Sequence, residues 1–374
     1  VSPPFCPNPL CSNHMAPDSP AWFCHAGFHR TLVVGAVPRF KCSSCGKTFS
    51  SRTFDIDYYT KKSVPYLELL DRLRGSMSLR ATGRSLGQRP ATVQNRFERL
   101  ARQALALHAR LRPLASKAEA VSIDGFVSFD VSQFFPSEIA ISVTSGSRFV
   151  LDFSQATRRR SGTMTAKQKA KSLELYPQVQ FERGAIGRGF RDLLDSLARE
   201  RPPDFLHPLI IITDEKKEYE SALHRHPLWL NQDERHRLIH IRVSSKDPRT
   251  YQNPLFPSNY IDREIRKDQA NHHRETVCFN RSVANGMARL SLYLIDHNYR
   301  KRFLIKARRG DERVHGEAAG IDRGRIEAGL RAMWKRRVFL SRIRLPPTLE
   351  RIWRKAFDTP LVKGRPRLPA FALA

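Results

Sequence analysis

The sequence predicts a multidomain chain: a small cysteine-rich N-terminal module, a helical segment, an α/β domain built on a mixed five-stranded sheet, and a basic C-terminal tail. Three observations predict it. Five of the six cysteines fall within the first 45 residues. Residues 63–111 repeat apolar positions at helical spacing. From 118 to 300, strand-like text comes three times in succession and then alternates with helical text. With 374 residues, 40 % of them hydrophobic, the chain is long enough for two or three cores.

Lys and Arg outnumber Asp and Glu by 65 to 36, a formal charge of +29 and a pI near 10.6. Charge of one sign at this density repels itself unless a polyanion offsets it, and DNA with its releasable counterions is the first reading. Ribosomal or membrane-surface binding would give a similar composition. No run of about 18 apolar residues marks a membrane span, and the first residues lack the charged-then-apolar order of a secretion signal. The expected location is the cytoplasm, where clustered cysteines point to metal rather than to disulfides.

Residues 1–54 carry too few apolar runs for an independent core, so the module needs a staple. Cys6-Pro-Asn-Pro-Leu-Cys11 and Cys42-Ser-Ser-Cys45-Gly46 are two knuckles, each presenting two thiolates, and together they complete the tetrahedral set that Zn²⁺ prefers. Cys24 or His25 could replace Cys11. The strand-like text 31–34 lies between the knuckles.

Residues 62–112 form the helical segment. An amphipathic stretch opens at 64–73, with Pro65 suited to an early helical position. Helical text then runs over 78–86, turns at Gly87-Gln-Arg-Pro90, and resumes over 91–101, the pattern of a helix-turn-helix. Thr92, Gln94, Asn95 and Arg96 fall near the start of the second helix, where such motifs meet base edges, while Val93, Phe97 and Leu100 belong to the core. An ordinary helical hairpin with a solvated basic face is the bland alternative.

In the segment 118–300, strands are expected at 120–129, 137–144 and 148–153, with a Ser-Gly-Ser turn between the last two. A basic stretch (157–172), a helix near 190–198, an apolar strand at 208–213, a helix at 218–224, a strand at 238–243 and long helical text over 260–299 follow. This is the element order of a ribonuclease-H-like fold. The tail 301–374 is basic and partly ordered at most.

Phosphodiester transfer by two metal ions needs carboxylates that hold the ions roughly 4 Å apart. Asp124 sits inside the apolar strand text Val121-Ser-Ile-Asp-Gly125, where an uncompensated carboxylate is costly, and Asp214 closes the apolar run 209–212. In the expected sheet these two strands are neighbours. Asp214 as a solvated strand end or helix cap is the plain alternative. The third acid is ambiguous: Glu264, Asp268 and Glu275 share one helical face, and Asp262 lies beside Ile261 on another. Oxygen donors suit Mg²⁺ or Mn²⁺.

Four stretches carry a family resemblance: Phe40-Lys-Cys-Ser-Ser-Cys-Gly-Lys-Thr-Phe-Ser50, Ser122-Ile-Asp-Gly125, Thr213-Asp-Glu-Lys-Lys-Glu-Tyr219 and Arg274-Glu-Thr-Val-Cys-Phe-Asn-Arg-Ser282. With them the chain resembles, nearly end to end, the DDE-type transposases of small bacterial insertion sequences that carry a zinc ribbon, a helix-turn-helix and a ribonuclease-H-like catalytic domain. In that family the third acid stands in a hydrophobic-acid-Arg pattern ahead of an Arg-x-Thr-x-x-Phe-x-Arg element. Ile261-Asp262-Arg263 matches it, so the resemblance assigns the role to Asp262. The family more often has Glu there, which keeps Glu264 as the rival.

The resemblance further implies that Arg274 and Arg281 meet DNA phosphates, the alternative being a solvated helix face. It implies strand hydrolysis at the element's ends, attack of the freed 3′-hydroxyl on target DNA, and no covalent protein intermediate. Its partners are double-stranded DNA and further copies of the chain, a homodimer or higher oligomer that brings two ends together. His272 and His273 could assist proton transfer or simply face solvent or phosphate. Two rival readings are a zinc-ribbon and helix-turn-helix DNA-binding regulator with an inactive transposase-like domain, and a nuclease for RNA–DNA hybrids.

Overall fold

The computed structural model describes residues 2–32, 34–273, 277–304, 306, 312–366 and 368–372. Its first sheet is antiparallel, with strands β1 (Phe23–Thr31), β2 (Gly35–Cys42) and β3 (Thr48–Ser50) in that order. Strand text is expected at 31–34, but Thr31 ends β1, and Leu32 and Val34 lie in the turn before β2. Thr31 Oγ1 accepts the Val34 N–H, and Gly35 takes a φ of +74°, which only glycine adopts without strain; Val33 lies outside the described residues. Trp22 stacked on Phe49, with Phe40 and three of the cysteines, makes a small core of its own.

Three helices follow: α1 (Tyr66–Arg74), α2 (Leu79–Ser85) and α3 (Pro90–Leu111). Ser78 caps α2 by accepting the Ala81 N–H, and Pro90 opens α3 where its missing N–H costs nothing. The chain turns between them through Gly87 at φ +61°. At Gly83 a Cβ would stand 2.8 Å from the Gln88 carbonyl oxygen, so only glycine allows this approach. α3 runs ten residues past the expected end because Ala104, Leu105, Leu107 and Leu111 continue its apolar stripe into the interior.

The second sheet has β4 (Val121–Phe129), β5 (Pro136–Thr144), β6 (Val150–Thr157), β7 (Leu209–Asp214) and β8 (Leu238–Val243), in the spatial order β6-β5-β4-β7-β8. The first three form an antiparallel meander, and β7 and β8 run parallel to β4. Between β6 and β7 lie α4 (Ala166–Leu175) and α5 (Ala185–Glu200); between β7 and β8 lie α6 (Lys217–His224) and α7 (Pro227–Leu230). The sheet is therefore mixed and five-stranded, as the sequence predicts.

After β8 come α8 (Phe256–Asp268), α9 (Val283–Tyr299), α10 (His315–Ala318), α11 (Arg323–Lys335) and α12 (Pro347–Trp353). The helical text 260–299 is thus broken. Between the two helices Gln269 turns extended and donates to the Leu73 carbonyl, and Ser282 caps α9 by accepting the Asn285 N–H. Nor are the described residues beyond Arg300 an appended tail. Met333, Phe339, Trp353 and Phe357 are buried, and at Gly329 a Cβ would stand 2.5 Å from Leu107 of α3.

One continuous apolar core runs from Ile56 to Phe357 and joins the helical segment, the sheet and the C-terminal helices. Within it Arg112 is almost fully buried and pairs with Asp152 (3.3 Å) and with Glu200. The first sheet docks on the same body. His14 bridges the Cys6 carbonyl (2.6 Å) to the Ser341 hydroxyl (2.8 Å), and Phe5 packs edge-on to Phe54 and Phe339. No helix among the described residues is long and apolar enough to cross a membrane.

Candidate metal centre and active site

The two cysteine knuckles meet. Cys6 and Cys45 stand 3.6 Å apart and Cys11 and Cys42 3.7 Å, with all four sulfurs within 4.8 Å of one another. A disulfide would need about 2.05 Å, whereas four sulfurs at Zn–S bonds of about 2.3 Å have tetrahedral edges of about 3.8 Å. The group therefore fits a structural Zn²⁺. Burial pushes the Cys6 thiol up. At Cys45 burial is outweighed by the Lys47 backbone N–H and the Asn8 side chain, and the thiol falls to about 7. Cys24 and His25 take no part: Cys24 pairs in register with Lys41 on the exposed side of β1.

The α/β domain builds a second site. Asp124 lies in mid β4 with Ile123 opposite Thr213 on the parallel β7, so one register step further sets Asp124 beside Asp214, where β7 ends. The even positions of β4 face α8: the Ser122 and Ser258 hydroxyls are 2.6 Å apart, and the Arg266 guanidinium lies 5.7 Å from the Phe126 ring. From α8, Asn259, Asp262 and Arg266 share a face one turn apart. The loop 244–255 adds Ser244, Ser245, Asp247, Arg249 and Asn253. Together they line a cavity of about 440 Å³ in which Asp124, Asp214 and Asp262 converge.

Four carboxylates against two guanidiniums leave this cavity two negative charges in excess. Burial, then the charge of Asp214 and that of Asp262, push the Asp124 carboxyl up to about 7, against the Gly125 N–H and Lys216. Burial also raises Asp214, with Lys216 opposing it. Like charges held together in a half-desolvated site call for a cation, and hard oxygen donors suit a divalent one. The residues fit such an ion in chemistry. In spacing they are not yet closed: among the described residues only the cysteines bring three or more ligand atoms within 4.8 Å, and Asp262 is paired with Arg266 (Nε to Oδ1 2.9 Å).

Glu264 does not line the cavity. It is buried beside Lys301 and Lys267, which hold its carboxyl below the usual range despite burial. His272 is not solvated. It is fully buried against Ser128 (2.8 Å), and burial drives its ring down to about 3, while His273 is exposed.

The helix-turn-helix residues divide. Asn95 is exposed, its side-chain oxygen accepting from Arg96 and Arg99. Thr92 is half-buried, and Gln94 donates to Glu98 (2.6 Å) and to Asn285 of α9 (3.1 Å). Arg96 is not available to a groove. It is 4 % exposed, donates to the Lys62 carbonyl and faces Asp57 at 3.4 Å, because helical period sets position 96 on the stripe of Val93 and Leu100. Arg80, Arg84 and Arg89 are the exposed cations around this turn; the i, i+4 spacing of the first two on a short polar helix was the signal that would have found them. Arg281 is exposed just before α9, and Arg274 lies outside the described residues.

Compared with known proteins, the chain matches no family model and no curated protein.

Proposed function

We propose that this chain is a DDE-type DNA transposase, which binds the terminal repeats of an insertion sequence and cleaves and joins DNA strands at the cavity of Asp124, Asp214 and Asp262. The observation that carries this reading is the convergence of those three aspartates, from β4, β7 and α8, on one cavity with an excess of negative charge. The strand order β6-β5-β4-β7-β8 supports a ribonuclease-H-like fold, and the α2-turn-α3 geometry supports a helix-turn-helix.

Asp124, Asp214 and Asp262 would hold Mg²⁺ or Mn²⁺, which supplies an activated oxygen nucleophile and charge stabilisation at the leaving oxygen. Lys216 opposes the rise of the Asp124 and Asp214 carboxyls without cancelling it. Arg249 and Asn259 line the same cavity and would orient a phosphodiester by hydrogen bonds. Arg80, Arg84, Arg89 and Arg281 offer exposed positive charge to the duplex backbone, with Asn95 the base-facing candidate. The cysteine group carries Zn²⁺ as a structural ion. A dimer or higher oligomer brings two DNA ends together on the bacterial nucleoid, in the cytoplasm.

The test is cleavage and joining of a DNA fragment bearing the element's own ends, with Mg²⁺ or Mn²⁺. Asp124→Ala, Asp214→Ala and Asp262→Ala should bind the ends and fail to cut, with rates down by at least about 10³-fold. Glu264→Ala should still cut. A wild-type protein that binds the ends and cuts with neither metal is a DNA-binding regulator instead.

A further inference from the structure

We propose that one face of the β1–β2 hairpin is a binding platform for single-stranded DNA, on which an unpaired base stacks against Phe28 while Arg30 meets a neighbouring phosphate. That the strand is DNA rests on the reading of this chain as a DNA-cutting enzyme; the platform itself rests on the hairpin.

β1 is an edge strand of the first sheet and is exposed along most of its length. Its register with β2 sets Phe23 opposite Cys42, His25 opposite Phe40, Phe28 opposite Pro38 and Arg30 opposite Ala36. Alternate residues of β2 point to one face, so Phe23, His25, Phe28 and Arg30 share it. Aromatic rings step outward along that face. Phe49 and Phe40 stand 5.9 Å apart, Phe40 and His25 5.8 Å, and His25 and Phe28 5.0 Å. Phe49 and Phe40 are buried, His25 is exposed, and Phe28 is 63 % exposed. Phe28 is thus an aromatic ring braced by a neighbour and largely open to water.

Charge selects the occupant. Between Ser19 and Phe54 stand Arg30, Arg39, Lys41, Lys47 and Arg52, and no carboxylate. Four thiolates on Zn²⁺ carry two negative charges, which leaves this stretch three positive ones. A partner that brings both flat apolar rings and regularly spaced negative charge is a nucleic-acid strand with unstacked bases. A duplex hides its base faces in the stack and offers Phe28 only groove edges. A second copy added at the β1 edge is opposed twice. The bulge between His25 and Phe28, with Gly27 at φ +75°, interrupts the ladder that an added strand would follow, and two such modules repel. Cutting and joining strands supplies unpaired DNA, so the platform has an occupant in the proposed reaction.

The experiment titrates the full-length, zinc-loaded protein into fluorescein-labelled oligothymidine and into a duplex of equal length, read by fluorescence anisotropy. Phe28→Ala, Phe28→Trp and Arg30→Gln are compared with wild type, and an unchanged zinc content confirms that the ribbon is folded. Phe28→Ala should weaken single-strand binding by about 5–50-fold, the loss of one stacked base, and change duplex binding by less than about 2-fold. Phe28→Trp should keep the affinity, and the indole emission it adds should be quenched by oligothymidine. Arg30→Gln should lower the salt slope for the single strand by about 0.7, one phosphate contact.

A folded Phe28→Ala protein that binds the single strand as wild type does, or loses single strand and duplex alike, overturns the proposal. So does a change in sedimentation without one in strand affinity, which makes the face a contact between copies. Tighter binding of oligouridine than of oligothymidine overturns the assignment to DNA. Cleavage of the element's ends reports separately on the transposase reading. If wild type cuts and Phe28→Ala changes nothing, this inference alone fails; if wild type never cuts and Phe28→Ala loses the single strand, the platform stands and its place in that reaction fails.

Discussion

The four N-terminal cysteines and the three cavity aspartates are both candidate ligand sets, yet the chain prepares them in opposite ways. The cysteines are brought within 4.8 Å of one another by two short knuckles inside their own small core. The aspartates come from two strands and a helix, and one of them is held by an arginine. A structural ion is part of the fold, so its ligands are assembled by local chain geometry. A reactive site instead concentrates like charges that the fold would be more stable without, and stability is found elsewhere.

That contrast makes the first and largest prediction. Cys42→Ser, or removal of zinc by a chelator, should unravel residues 1–54 and leave the second sheet intact. Trypsin cleavage at Arg30, Arg39 and Lys41 should rise by about 10²-fold, followed by mass spectrometry, while the far-ultraviolet signal of the helical body changes little. Cleavage that stays slow without zinc would mean that docking through His14, Phe5 and Phe339 holds the module by itself.

The two regions differ equally in how far the sequence reveals them. The knuckles are legible because their spacing is local. Asp124 and Asp214 are legible because a carboxylate within or at the end of an apolar strand has few structural uses. Asp262 is reached only through resemblance, since the partner that occupies Glu264 is Lys301, from the segment that follows α9. Arg96 reads as base-facing by residue type, but helical period sets it on the buried stripe of α3. The break at 269–282 carries no Pro or Gly except beyond it, and is held by distant groups: Gln269 on the Leu73 carbonyl, and Asn280 donating to Asp130 at 3.2 Å. The buried aromatics of the last 40 residues are scattered through basic text with no period to announce them.

Proton linkage gives the next test. His108 is fully buried, and burial, with Arg112 nearby, drives its ring down to about 3. Its unfolded form titrates near 6.5, so the unfolded state binds the extra proton between those values. The stability it contributes is complete above pH 6.5 and is lost as pH falls toward 3. His108→Gln should therefore flatten the fall in stability between pH 6 and 4 by about 1.4 kcal/mol per pH unit, the slope of one proton. Urea unfolding at several pH values measures this, and an unchanged slope would show that the ring is protonated in the fold.

Asp124 should do the reverse. Its carboxyl, at about 7 in the folded chain against 3.8 when unfolded, makes the folded state the better proton binder in that window. Its stabilising proton is lost as pH rises through 7. Asp124→Asn should thus raise stability at pH 8 by roughly 1–2 kcal/mol, allowing for cavity water, while abolishing the proposed DNA cleavage. A destabilised variant would mean that Asp124 is held by favourable contacts rather than strained by its neighbours.

The smallest effect is expected at Cys24, the one cysteine of the N-terminal five outside the cluster. Spacing alone allowed it to replace Cys11, but the β1–β2 register sets it opposite Lys41 on an exposed strand, its sulfur 3.7 Å from the Lys41 carbonyl. A thiol there cannot reach the ion position without unpairing β1. Cys24→Ser should leave one zinc per chain, and the same resistance to trypsin, whereas Cys11→Ser should lose both. If the two serine variants lost zinc alike, the module would have a ligand arrangement that its strand register forbids, and the distinction between a locally assembled site and a distributed one would have to be redrawn for the ribbon as well.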